Sequence, residues 1–194
     1  MIDKKDVIAF FDRCAPGWDA DMVVDDSIVN IILDNTGVHE GARVLDVGCG
    51  TGVLVPFYLR RGVASVTGID ISPRMIEIAR SKFNDGKVSF VCADAETDEV
   101  GQDFDCIVIY NAFPHFSDTD RLLGNLCGML GKGGLLTVAH GMSRDRINSH
   151  HKGGASRVSN GLPDAEELAL SFGKHLIITT VISDDRMYQV CGRK

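Results

Sequence analysis

The sequence predicts an α/β fold: a doubly wound, mostly parallel seven-stranded sheet with helices on both faces, an antiparallel C-terminal strand and an N-terminal two-helix prefix. Three observations carry this. Short apolar runs alternate with amphipathic helical stretches from residue 42 onward, as strands joined by crossover helices do. The first run, Arg43-Val44-Leu45-Asp46-Val47, breaks into Gly48-Cys49-Gly50-Thr51-Gly52, with glycine at every second position. Near the C-terminus two strand-like runs flank Ser183-Asp184-Asp185, the pattern of a hairpin.

Residues 4–13 set Val7, Ile8, Phe10 and Phe11 at helical spacing, and Ala15-Pro16-Gly17 breaks that helix. Trp18, the only tryptophan, follows. A second helical pattern runs from Met22 and Val23 through Ile28, Val29, Ile31, Ile32 and Leu33, with Gly37 as its C-cap. The first strand is 43–47, then a helix covers roughly 52–61, and the second strand is 65–70. Ser72 is a good N-cap and Pro73 suits the first helical position; Met75, Ile76 and Ala79 form that helix's buried face. Strands follow at 88–92 and 104–110, then a helix through Leu122, Leu123, Leu126 and Leu130 that Gly131-Lys132-Gly133-Gly134 terminates, then a strand at 135–139. A Gly/Ser-rich loop (152–161) leads to a helix at 163–172, and 176–182 pairs with 187–190. The whole reads as one domain, 1–194: a helical prefix or cover (1–40), a ligand-binding core (41–140), and a helix, loop and hairpin (141–194).

A formal charge of −7 without a basic block argues against a nucleic-acid surface, because phosphate binding needs a cationic patch. No apolar run is long enough to span a bilayer, and the N-terminus lacks a signal peptide's apolar core. The six cysteines show no CxxC spacing and read as reduced thiols of a cytoplasmic protein. The chain is separately expected to be a monomer or homodimer with a small-molecule partner.

In an open α/β sheet, ligands bind beyond the carboxyl ends of the strands. Those ends are polar here. The first strand carries Asp46 and the glycine loop, the second ends in Asp70, the third in Cys92-Ala93-Asp94, and the fourth in Tyr110-Asn111. An acid some twenty residues past a glycine loop suits ribose hydroxyls, and a further acid can accept from an exocyclic amino group. Two adenosine-containing ligands share this logic. The dinucleotide fingerprint needs a third glycine where this chain has Val53, and Asp46 would repel a pyrophosphate while suiting a cationic amino-acid moiety.

Val44-Leu45-Asp46-Val47-Gly48-Cys49-Gly50-Thr51-Gly52 resembles the glycine motif of class I S-adenosylmethionine-dependent methyltransferases. The resemblance extends to Gly68-Ile69-Asp70-Ile71-Ser72-Pro73-Arg74-Met75, Cys92-Ala93-Asp94-Ala95, Phe104-Asp105 and Leu130-Gly131-Lys132-Gly133-Gly134. Phe10-Phe11-Asp12 to Trp18-Asp19 is similar to the opening segment of the ubiquinone/menaquinone-type small-molecule subgroup. The resemblance implies S-adenosylmethionine as methyl donor and S-adenosylhomocysteine as product. It implies that Gly48, Cys49 and Gly50 hold the methionyl part, with Asp46 near its amino end. Asp70 would bind the ribose hydroxyls, Ile71 would pack on the adenine, and Asp94 with Ala95 would face the adenine amino group. Asn111 would lie close to the sulfonium. Trp18, with Phe11, either anchors the prefix helices or covers the cofactor, since such prefixes look like mobile covers.

Displacement at an activated methyl needs alignment, exclusion of water and sometimes proton removal. His115, in Tyr110-Asn111-Ala112-Phe113-Pro114-His115-Phe116, is either a general base or a loop histidine packed between Phe113 and Phe116. His140 opens the other polar connection, which runs to His151. His115, His140, His150 and His151 gather at one end of the sheet and have metal-ligand chemistry, but their spacing matches no metal motif and no metal is assigned. Arg144 or Arg146 could bind an anionic substrate. If 143–151 is helical, Ser143 caps it and Arg144, Asn148 and His151 share one face; Gly153-Gly154 supplies a joint. Two other function classes remain in view: a cofactor-binding protein without transfer activity, and a nicotinamide-dependent oxidoreductase, which the glycine spacing and Asp46 disfavour.

Overall fold

The structure, a computed structural model, describes residues 2–20, 22–151 and 156–194, with the side chains of His150 and His151 not described. Strands β1 (Arg43–Val47), β2 (Ser65–Asp70), β3 (Val88–Cys92), β4 (Phe104–Tyr110), β5 (Leu130–His140), β6 (Ile177–Ser183) and β7 (Tyr188–Arg193) form one sheet in the order β3-β2-β1-β4-β5-β7-β6. β1 pairs in parallel with β2 on one side and β4 on the other, so the strand order reverses at β1. β7 alone runs against its neighbours, β5 and β6.

Helices α1 (Lys4–Cys14), α2 (Asp26–Asn35), α3 (Val55–Arg60), α4 (Pro73–Lys82), α5 (Thr119–Met129), α6 (Arg144–His151) and α7 (Ala165–Phe172) complete the chain. Because side chains alternate along a strand, each face of the sheet has its own core. Leu45, Val47, Ile107 and Ile109 face the buried side chains of α5 and α7 (Leu122, Leu126, Leu168, Phe172). Val44, Val66, Cys106 and Val108 face those of α2, α3 and α4 (Val29, Ile32, Tyr58, Ile76).

The predicted elements stand, with four shifts. The second helix begins at Asp26, not at Met22, because the Asp25 carboxylate accepts from Ser27 N and Ile28 N and caps it there. Val23 is left 92% exposed before the helix. The helix expected over 52–61 contracts to Val55–Arg60, with turns before it. Gly131-Lys132-Gly133-Gly134 does not merely end a helix; it is the first part of β5. A Cβ on Gly134 would stand 2.8 Å from Phe104 O, so glycine lets this segment lie close to the start of β4, where the register shifts. Finally, α2 is no cover. Its C-terminal turn is fastened to the sheet by buried Gln189, whose Nε2 donates to Ile32 O (3.1 Å) and Thr137 Oγ1 (3.1 Å) while its Oε1 accepts from Asn35 Nδ2 (2.9 Å).

α1 and the turn Ala15–Gly17 lie over the carboxyl ends of the strands, and Ile28 in the first turn of α2 borders the same end. Polar contacts of three residues, Lys4, Asp12 and Asp19, hold α1 and the residues just after it. Asp12 Oδ1 accepts from Ser72 Oγ (2.6 Å), Asp19 accepts from Thr51 Oγ1 (2.5 Å) and Lys82 Nζ (2.7 Å), and Lys4 Nζ meets Asp94 (2.5 Å) and Glu96 (2.7 Å). Val7 packs with Ile2 and Val158, against Phe10, Phe11 and Ile71.

Candidate functional site

A cavity of about 1030 Å³ opens at the carboxyl ends of β1, β2, β4 and β5, beside the point where strand order reverses. One wall is main chain. β1 is buried between two strands and ends in a turn that its glycines allow: Gly48 has φ +67° and Gly50 φ +53°, conformations that side chains rarely adopt. Gly48 N and Cys49 N both donate to Ile69 O (2.8 and 3.0 Å), which pins the loop to β2. A Cβ on Gly48 would stand 2.6 Å from Ala112 Cβ, so the glycine loop lies close to the loop after β4.

Three acids meet this wall. Asp46 is 2% exposed and lines the cavity; its Oδ2 has no hydrogen-bond partner among the described residues. Burial, and then the charge of Asp70, push its carboxyl up to about 8. Asp70 accepts from Gly50 N through Oδ2 (2.9 Å) and from Ser72 N through Oδ1 (2.8 Å), holding the glycine loop and the start of α4 together. Burial lifts it to about 6 despite those backbone bonds. Asp94 accepts from Glu96 N (3.0 Å) and pairs with Lys4. Ile71, Ala95, Cys49 and Asn111 also line the cavity. The Cys49 thiol is held well above its ordinary value, by burial first and then by Asp46 and Asp70. Asn111 has φ +54°, a strained setting for a side-chain-bearing residue, and its Oδ1 accepts from Gly141 N (3.1 Å), tying the loops after β4 and β5.

Trp18 is half-buried, lines the cavity and lies over Gly50, whose added Cβ would be 3.6 Å from its Nε1. It meets Phe11 edge-on at 5.7 Å. Phe11 meets the His115 ring edge-on at 4.9 Å. The His115 Nδ1 lies 2.7 Å from Val158 O. A carbonyl can only accept, so Nδ1 carries the proton and Nε2 is the ring's basic nitrogen. His140 is buried at the end of β5, lines the same cavity and meets Tyr188 edge-on at 6.1 Å.

The remaining wall is assembled from distant segments: Met22, Val23 and Ile28, Tyr110, Met142 and Ile147, with Arg146 and Arg186 among the charged groups. Arg144 does not line this cavity. Its Nε donates to Leu162 O and Pro163 O (3.2 and 3.1 Å), and Asn148 on the same face of α6 grips Leu162 from both sides of its peptide. The face shared by Arg144 and Asn148 is therefore structural. Among the described residues no group of three or more His, Cys, Asp or Glu side chains could hold a metal ion. The side chains of His150 and His151, and the Gly153-Gly154 joint, lie outside the described residues.

Sequence reasoning missed Lys4, Glu96 and Arg186. Lys4 and Glu96 are 92 positions apart, and no local pattern could have paired them. The signal for Arg186 was present only as a polar hairpin turn.

The strand order 3-2-1-4-5-7-6 with β7 reversed, and a cavity lying on a glycine loop at the end of β1, define the class I methyltransferase architecture. Residues 44–134 match the methyltransferase-domain family, and the relatives and structural neighbours of the chain are class I S-adenosylmethionine-dependent methyltransferases. It is 39% identical over 142 residues to a malonyl-[acyl-carrier protein] O-methyltransferase of Acetivibrio thermocellus, covering 72% of this chain and 50% of that one. It is 40% identical over 123 residues to a ubiquinone biosynthesis O-methyltransferase of Chelativorans, covering 56% of this chain and 48% of the relative. It thus spans about half the length of these relatives. Among solved structures, the methyltransferase bound to the Trm112 activator of Haloferax volcanii superposes with a TM-score of 0.78 at 22% identity, over 94% of this chain and 96% of that one. The match to methyltransferases sets aside the oxidoreductase reading.

Proposed function

We propose that this chain binds S-adenosylmethionine in the cavity and transfers its methyl group to an oxygen of a small molecule. The observation that carries the reading is the pairing of a main-chain cradle with the buried Asp46, whose unpartnered oxygen suits a cationic group. Glycine at 48 lets this loop pack against Ala112, and Gly48 and Gly50 present main chain rather than side chain to the cavity they line. The residues fit the cofactor. Asp46, Gly48, Cys49 and Gly50 would hold its amino-acid end. Asp70 would take the ribose hydroxyls, Ile71 would pack on the adenine, and Asp94 and Ala95 would face the adenine amino group. Asn111 would lie toward the sulfonium, and Trp18 would close the site from above. The cofactor supplies a methyl group already activated by its sulfonium.

The chain's own residues then have three tasks. α1 and Trp18 exclude water. The loops carrying Asn111 and Gly141, held to one another, fix where the acceptor can sit. His115 Nε2, or His140, removes the acceptor's proton. Arg146, which lines the cavity and forms no ion pair among the described residues, would hold an anionic end of the acceptor. Oxygen as the acceptor atom is supported by the two relatives, both named O-methyltransferases. The same reading takes residues 1–194 as one domain, monomeric or homodimeric. Among the described residues no helix is long and apolar enough to cross a membrane. The free state of Cys14, Cys49, Cys92, Cys106, Cys127 and Cys191 supports a cytoplasmic setting.

Calorimetry with S-adenosylhomocysteine, followed by a panel of small carboxylic acids and phenols with labelled methyl donor, tests this. Binding together with label transfer to at least one acceptor is expected. No binding of either cofactor form overturns the reading, and binding without transfer to any acceptor leaves a cofactor sensor in its place.

A further inference from the structure

Glu96 is 3% exposed yet ionic, and the hydrogen bonds it accepts come from two other parts of the site, residues 117–118 and Lys4. Its Oε1 accepts from Ser117 N (2.6 Å) and Asp118 N (3.2 Å), and both oxygens accept from Ser117 Oγ (3.0 and 2.9 Å). Its Oε2 also meets Lys4 Nζ at 2.7 Å. Lys4 Nζ simultaneously meets Asp94 Oδ2 at 2.5 Å. Three pieces therefore converge on one lysine–carboxylate cluster. They are the first turn of α1, the loop after β3 that carries Asp94 and Ala95, and the end of the loop after β4 that carries Asn111 and His115.

We infer that Lys4 and Glu96 are positioning residues that couple closure of α1 over the cofactor to the placement of the acceptor loop 111–118. The inference rests on the proposed cofactor site at Asp94. A buried carboxylate is costly unless its charge is met, and Lys4 reaches Glu96 only when α1 lies over the cavity. With α1 lifted, Glu96 keeps Ser117 and Asp118 but loses its cation, and the loop they end is left anchored to an unpaired buried charge. Burial pushes the Glu96 carboxyl up, but the bonds from Lys4 and Ser117 outweigh this and hold it below its ordinary value. Burial likewise pushes Lys4 down, and Asp94 and Glu96 more than offset it. Both groups are thus charged around neutral pH, as a clasp requires. A ligand amino group at Asp94 adds a second reason for α1 to stay down, since it completes the acceptors of the carboxylate that Lys4 shares.

The test uses the full chain, with S-adenosylhomocysteine as probe and Trp18, the sole tryptophan, as reporter of closure. In stopped-flow fluorescence, Lys4→Met is expected to release the probe about tenfold faster than wild type with little change in association rate, and Lys4→Arg to restore slow release. Hydrogen exchange supplies the readout that a merely structural role would not move. The probe should slow amide exchange over 111–118 in wild type and in Lys4→Arg, and should fail to do so in Lys4→Met, while still protecting 48–52. Glu96→Gln should behave as Lys4→Met does, and the double variant should be no worse than either alone. If Lys4→Met releases the probe at the wild-type rate, or still gains protection over 111–118, the clasp is refuted. If wild type does not bind the probe at all, the proposed cofactor site has failed instead. Lys4 is partly exposed, so Lys4→Met keeps the test usable even if Glu96→Gln does not fold.

Discussion

The two halves of the cavity are built on opposite plans. The half proposed for the cofactor is mostly main chain and short acids from consecutive strand ends: Asp46 with Gly48 and Gly50, then Asp70, then Asp94. The half proposed for the acceptor is side chain, drawn from the N-terminal segment, the loops after β4 and β5, α6 and the β6–β7 turn. A main-chain cradle tolerates almost no substitution, because its shape is the backbone conformation itself. A wall of side chains can change one residue at a time while the strands beneath it stay put. Hence, on the proposed function, the first half marks the family and the second would select the acceptor.

Gly48→Ala should break the comparison most sharply. The added methyl needs a left-handed φ and collides with Ala112, which together cost about 2–5 kcal/mol by general estimates. A large loss of thermal stability in calorimetry and no measurable cofactor binding are expected. A folded variant with wild-type Kd would show that the loop is not the cradle.

Asp70→Ala should come next. It removes the acceptor of Gly50 N and Ser72 N, two bonds to a charged group worth about 1.5–3 kcal/mol each. Cofactor Kd should rise by at least about tenfold, with acceptor KM changed far less. Equal changes in both would blur the division between the halves.

The third effect is a pH dependence confined to the cofactor half. Asp46 titrates near 8 in the folded, ligand-free chain, so it is mostly protonated at neutral pH. A cationic ligand group favours the carboxylate, so affinity should climb from pH 6 to above 8 with proton release on binding. Comparing calorimetric heats in buffers of different ionisation enthalpy measures that release. The sign for stability is opposite. An unfolded Asp titrates near 4, so above that pH the unfolded chain has lost a proton the folded chain keeps. Ligand-free stability should therefore fall as pH rises from about 4 to 8, in the range set by Asp46 and, up to about 6, by Asp70. Asp46→Asn should flatten much of both slopes.

The smallest effects sharpen the acceptor half. Arg144→Ala removes bonds to Leu162 O and Pro163 O and should lower stability by about 1–2 kcal/mol in denaturant titration. Arg146→Ala should change stability by less than about 0.5 kcal/mol while raising the KM of an anionic acceptor. The reverse assignment would exchange the roles given to the two arginines.

Strand alternation, the N-cap at Ser72, and the glycine and acid motifs along 44–95 were legible because each depends on residues a few positions apart. Gly131-Gly134 was legible as a break but not as a strand, since its pairing with Phe104 is a contact between remote segments. Arg144 and Arg146, two positions apart, looked equivalent; only the segment 161–163 folding back onto α6 separated them. α1 and α2 formed one prefix in sequence, yet Gln189, 154 positions beyond Asn35, makes α2 part of the core and leaves α1 over the cavity. The sequence alone determined the sheet, the cradle and its acids, because periodicity, turn chemistry and backbone freedom are local. Which side chains complete the other wall, and which lysine closes the site onto Glu96, were decided only by tertiary packing, because a buried charge finds its partner in space rather than along the chain.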